Sequence, residues 1–228
     1  MWSMVRLAVA EGRPGADQAL NELCGLYQRP ILVYILRNGY SPVEAEDLKQ
    51  AFFFHLLSHN ALAGAENTRV KLRAFLITKL QSFLIDQHRR DMAQKRGGGK
   101  VIALGDMSEE QRHLAEPVDH LTPDLAFQRQ WLQTLAEEAM RHLREDYAAR
   151  GQADLFAAIS PFISNNAERS LADLSVQLGR PVGTLKNDIF RLRAKCQQLI
   201  REQIATTLEE PTPDNIDAEL KELMGYRA

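Results

Sequence analysis

Residues 170–199 constrain the fold more tightly than any other part of the chain. Ser170-Leu171-Ala172-Asp173 has the pattern of a helix start, with a capping serine three residues before an acid. Leu171, Leu174 and Leu178 repeat at helical spacing, and Gly179 follows them where a helix stops in a left-handed residue. Pro181 restarts the chain after a very short turn. Leu185, Ile189, Leu192, Cys196 and Leu199 then recur at steps of four, three, four and three. Two helices of these lengths, joined by a glycine-containing turn, have the form of a helix-turn-helix.

Helical spacing governs most of the remaining chain, and strand patterns are nearly absent. A first helix is expected over about 16–36, interrupted by Pro30 and stopped at Asn38-Gly39. A second opens at Ser41-Pro42 and turns Leu48, Phe52, Phe53, Leu56 and Leu57 inward. A third spans about 70–94 on Leu72, Leu76, Leu80, Phe83 and Leu84. Gly97-Gly98-Gly99 ends it, and the polar stretch that follows reads as a linker. Thr122-Pro123-Asp124 begins another helix, with Leu125, Trp131, Leu132, Leu135 and Leu143 inward. A shorter element is expected over 154–163. Pro211 and Pro213 break the last long helix. Residues 214–224 can then form a short acidic amphipathic helix with Ile216, Leu220, Leu223 and Met224 inward; the segment either folds back on a basic surface and restrains DNA binding or is a solvated tail that caps the last domain. The expected fold is all-α. Two helical domains, 1–98 and 122–205, are joined by a linker at 99–121, the second contains the helix-turn-helix, and an acidic tail runs over 206–228.

The formal net charge of −2 hides a segregation. Residues 69–100 hold nine Lys/Arg against Asp86 and Asp91, and residues 180–201 hold six against Asp188. Two basic segments, one within a helix-turn-helix pattern, suit phosphate neutralisation. Arg73, Lys79, Arg89 and Arg90 are the candidates in the first. In the second, advancing 100° per residue from Leu185 points Gly183, Asn187, Phe190, Arg191 and Ala194 outward, flanked by Thr184, Lys186, Arg193 and Lys195. Asn187 suits an adenine edge, and Arg191 a guanine edge or a phosphate. Phe190 either meets a thymine methyl or packs on a neighbouring helix. Asp188 either accepts from a cytosine amine or orients Arg191.

Three stretches resemble the extracytoplasmic-function group of bacterial RNA polymerase sigma factors. Ala45-Glu46-Asp47-Leu48-Lys49-Gln50-Ala51-Phe52-Phe53 is similar to a helix that in this family binds the largest polymerase subunit. The resemblance gives Glu46, Asp47 and Gln50 that contact. Phe75-Leu76, followed by Leu84-Ile85-Asp86-Gln87-His88-Arg89-Arg90, is similar to the promoter-melting and upstream-hexamer segment, with Phe75 and Ser82 where the family often has tryptophan and asparagine. Phe75 is thus a candidate to stack on an unpaired base, and a core residue otherwise. The loop 60–68 would help capture an unstacked base. Gly183-Thr184-Leu185-Lys186-Asn187, with Arg191-Leu192-Arg193, is similar to the helix that reads the more distant hexamer; Asp188 stands where a basic residue is common. The resemblance covers about 17–96 and 124–203, and is closest to a divergent subgroup with a long linker and a C-terminal extension.

The resemblance implies a factor that directs RNA polymerase core enzyme to promoter DNA and assists melting, with an anti-sigma factor as a further candidate partner. The other reading is a helix-turn-helix regulator acting without polymerase. No P-loop, nucleophile elbow or dinucleotide fingerprint argues for an enzyme. His55 and His59 have no matched carboxylate, so neither metal nor cofactor is expected. Cys24 and Cys196, far apart, read as reduced thiols. No apolar run approaches a membrane span, and a soluble cytoplasmic protein is expected.

Overall fold

The computed structural model describes residues 16–58, 71–94, 121–163, 167 and 169–225. The described residues form helices joined by turns, with no strand among them. Eight α-helices follow in order: α1 (Ala16–Arg37), α2 (Pro42–Ser58), α3 (Leu72–Gln94), α4 (Pro123–Ala149), α5 (Ala153–Ile159), α6 (Leu171–Leu178), α7 (Val182–Thr207) and α8 (Pro213–Leu223). A single 3₁₀ turn, Ser160–Phe162, follows α5. The expected linker at 99–121 and the loop 60–68 lie outside the described residues, apart from position 121. No helix among the described residues is long and apolar enough to cross a membrane.

The chain divides into two compact units, 1–134 with 204–228, and 135–203. This differs from the division expected at the polar stretch. Residues 123–134 and the C-terminal segment both belong with the first unit. For 123–134 the reason is aromatic packing, and for the C-terminal segment the pairing of Glu219 and Glu222 with Lys71 and Arg73 contributes. Tyr27 of α1 stacks on Trp131 of α4 at 5.8 Å between ring centroids, and Phe127 lies 6.3 Å from Tyr27 and edge-on to Tyr34. A polar linker marks where the chain is loosely patterned; the buried rings decide which core it joins.

In the first unit, α1 runs through Pro30 without ending there. The six consecutive residues Ile31–Leu36 are all buried. A helix apolar on every side is a core helix, and that burial outweighs the one amide hydrogen bond that proline removes. α1 stops at Asn38, whose side-chain amide donates to the Tyr34 carbonyl at 2.8 Å, and Gly39 follows with φ +89°. α2 begins with a reciprocal cap. The Ser41 amide donates to Glu44 Oε2 at 3.0 Å, and the Glu44 amide donates to Ser41 Oγ at 3.3 Å. Its core face is Ala45, Phe52 and Leu56, and Phe52 meets Phe83 of α3 at 5.5 Å.

The second unit buries Ala139 and Leu143 of α4, Phe156 and Ile159 of α5, Leu174 of α6, and Leu185, Ile189, Leu192 and Cys196 of α7. α6 starts and stops as its sequence suggests. Ser170 Oγ accepts the Asp173 amide, and Gly179 adopts φ 61°, ψ 30°. The Arg180 amide returns to the Ser175 carbonyl at 3.1 Å, which closes the helix end and reverses the chain into α7. Gly179→Ala has space for its methyl group but a backbone that L-residues avoid. It lowers the unfolding free energy of this unit by about 1–2 kcal/mol, measured by denaturant melts.

Two registers differ from expectation. Leu125 is exposed, because the buried face of α4 runs through Phe127, Trp131, Leu135, Ala139 and Leu143 in steps of four. Met224 is exposed as well, just beyond the C-terminus of α8. Both cysteines are free, and burial raises both thiols above their ordinary range, which keeps them protonated.

Candidate nucleic-acid and partner interfaces

The outward face of α7 follows from its inward one. Leu185, Ile189, Leu192 and Cys196 are buried, so Thr184, Lys186, Asn187, Phe190, Arg191, Arg193 and Lys195 are all exposed. Phe190 is 73% exposed, so it is not buried against a neighbouring helix among the described residues. Gly183 has open space where a Cβ would stand, so a ligand backbone can come close there. Arg193 donates to the Phe162 carbonyl, which holds its guanidinium near the end of the 3₁₀ turn.

Asp188 has a partner that sequence did not indicate. Its Oδ2 accepts from Arg180 Nη1 at 3.0 Å, eight residues back across the turn. The carboxylate thereby fixes the start of α7 against the α6–α7 turn, and neither Arg191 nor a base is needed to explain it. Beside this pair lies a cleft of about 360 Å³. Arg150 and Asp146 pair on one wall at 2.7 Å, and Arg191 and Lys195 stand on another, neither ion-paired among the described residues. Tyr147 also lines the cleft; burial chiefly, then the Asp188 carboxylate, raises its hydroxyl above the usual range, with Arg150 opposing. A cleft with four cations and two carboxylates, two of the cations uncommitted, suits a phosphate.

On α3 the expected candidates separate into two sets. Lys79, Arg89 and Arg90 are exposed. Arg73 and Phe75 are corrections. Arg73 is 3% exposed, and its guanidinium pairs with Glu219 and Glu222 of α8. Phe75 is buried, and the Lys79 ammonium sits 5.4 Å from its ring centroid, so its ring is not open to a base here. The helical period holds the signal for Arg73. It shares a stripe with Leu76, Ile77, Leu80 and Leu84, the buried stripe of α3.

On α2, Asp47 and Gln50 are exposed, whereas Glu46 is half-buried and tied to Lys49. Two residues that the sequence reading did not single out join them. Val43 is 61% and Phe54 70% exposed. Val43, Asp47, Gln50 and Phe54 follow at steps of four, three and four, which places them on one helix face opposite Ala45, Phe52 and Leu56. A run of three phenylalanines, 52 to 54, was the available signal, because steps of 100° cannot bury all three.

No family model, curated protein or solved structure matches this chain.

Proposed function

We propose that this chain is a promoter-specificity factor of the sigma type. In this reading α2 docks on RNA polymerase core enzyme, and α3 with its exposed Lys79, Arg89 and Arg90 faces promoter DNA. α6 and α7 act as a helix-turn-helix whose Thr184, Lys186, Asn187, Phe190 and Arg191 approach base edges and phosphates. The factor has no bond-making step of its own. It positions the polymerase and helps hold separated strands.

The observation that carries this reading is the exposed stripe on α2. The outward face of α7 supports DNA binding by a regulator or by a sigma factor equally well. Val43 and Phe54 expose apolar surface on the helix face that carries Asp47 and Gln50, a combination that suits a protein partner. Apolar anchors flanking a few polar groups are the usual make-up of such a contact. The motif similarity of α2 names polymerase as that partner.

The test is capture of core polymerase by the purified chain, followed by sequencing of transcript start sites made by the reconstituted enzyme. The expected result is a stoichiometric complex and starts at a defined set of promoters. A chain that captures no core enzyme, yet binds a two-fold symmetric duplex site alone, is the regulator instead.

A further inference from the structure

We propose that α8 is a resident polyanion mimic, whose Glu219 and Glu222 hold Lys71 and Arg73 until nucleic-acid phosphates replace them. The inference rests on the reading of α3 as a DNA-facing helix.

The contact is a closed network of two cations and two carboxylates within the first unit. Glu219 accepts from Arg73 Nε, and Arg73 Nη2 lies 3.4 Å from its second oxygen. Lys71 Nζ is 2.5 Å from Glu219 Oε2, and Arg73 Nη2 is 2.5 Å from Glu222 Oε1. Lys71 and Glu222 pair as well. A guanidinium fork meets a carboxylate in the geometry in which it meets a phosphate. The acidic helix therefore presents to Lys71 and Arg73 the kind of ligand that a phosphodiester backbone would.

Beyond this network α8 is held along a narrow edge: of its eleven residues Glu219 and Leu223 are buried, and Ile216, Asp217 and Leu220 are half-buried. Its start is satisfied locally, by Thr212 Oγ1 accepting the Asn215 amide at 3.2 Å. A helix this short is marginal alone, and one buried leucine with the half-buried Ile216 and Leu220 is a modest apolar anchor. Glu219 is 1% exposed, so its carboxylate has lost its water, and that cost offsets much of the attraction to Arg73. Docking that depends on charge is docking that another polyanion can displace.

The same helix shows which polyanion fits. Lys79, Arg89 and Arg90 stay exposed further along α3. From Arg73 to Arg90 the helix rises roughly 25 Å. Arg73 lies on the buried stripe of α3, roughly 100–160° round the helix from Lys79, Arg89 and Arg90, so Lys71 and Arg73 border the exposed cations instead of continuing them in one row. Several cations spread over that length still match the repeated charges of a nucleic-acid strand better than a single acidic group. With α8 in place Lys71 and Arg73 are neutralised; with α8 displaced they add their charge to the cations beside them.

Two measurements on the full chain test this. Glu219→Gln/Glu222→Gln keeps acceptors for Arg73 and Lys71 and removes the charge. Binding of a mixed-sequence single-stranded oligonucleotide is followed over a salt series, with circular dichroism confirming the fold. The expected result is tighter binding, on the order of tenfold at low salt, and a log K against log salt slope steeper by about 1.4 for two regained phosphate contacts. In the unaltered chain, amide exchange of α8 is measured with and without the oligonucleotide, so a misfolded variant does not end the test. Loss of α8 protection on binding supports the proposal; binding with α8 still protected overturns it. Absence of binding by either chain overturns it too, and capture of core polymerase then judges the sigma reading separately.

Discussion

Trp131→Ala lowers the unfolding free energy of the first unit by about 3–5 kcal/mol, the cost of emptying a buried aromatic site. Trp131 is wholly buried, stacked on Tyr27, with Phe127 one helical turn before it. Stability changes of that size consume a large part of what a domain has, so the variant is expected largely unfolded in this unit near physiological temperature. A milder substitution separates packing from polarity. Neither Trp131 Nε1 nor the Tyr27 hydroxyl finds a hydrogen-bond partner among the described residues. Burial above all, with Glu219 adding to it and Arg73 opposing, raises the Tyr27 hydroxyl far above its usual range, so it stays protonated. Removing an unpartnered polar atom costs little. Tyr27→Phe therefore changes stability by less than about 1 kcal/mol in either direction. Urea melts of the three chains check this order, and a Tyr27→Phe loss as large as that of Trp131→Ala would show that the hydroxyl is essential.

These rings also show why sequence located the helices better than the core they build. Ser170, Gly179 and the Ser41–Glu44 pair act over three or four residues, so their chemistry is complete within a short window. The start of α2 and both ends of α6 are legible for that reason. Trp131 stacks on a residue more than a hundred positions away, and residues up to 134 group with the first unit. Arg73 illustrates the same limit at the candidate site. A cation in a basic segment reads as a phosphate ligand until Glu219, 146 residues later, is known to cover it. The outward set on α7 needed only the period of its buried leucines, and all seven candidates are exposed as expected. Asp188 needed the turn geometry, because its partner Arg180 comes within reach only when Gly179 reverses the chain.

The α2 stripe yields the most discriminating functional result. Asp47→Lys combined with Phe54→Ser abolishes capture of core polymerase, with at least a hundredfold loss expected. Exposed anchors of this type each contribute on the order of 1–2 kcal/mol or more to an interface, and a reversed charge adds repulsion to the lost contact. Fold stability is little affected, since both side chains lie on the solvent face and surface changes usually fall within about 0.5 kcal/mol. Glu46→Ala is the useful comparison. Its carboxylate is committed to Lys49 on the same helix, so it weakens capture far less than Asp47→Lys alone. Binding of the variants to an immobilised core enzyme and to duplex DNA is measured side by side. Loss of polymerase with DNA binding intact places the partner on α2. Unchanged capture by the double variant would remove α2 from the interface, and with it the feature that separates a sigma factor from a regulator.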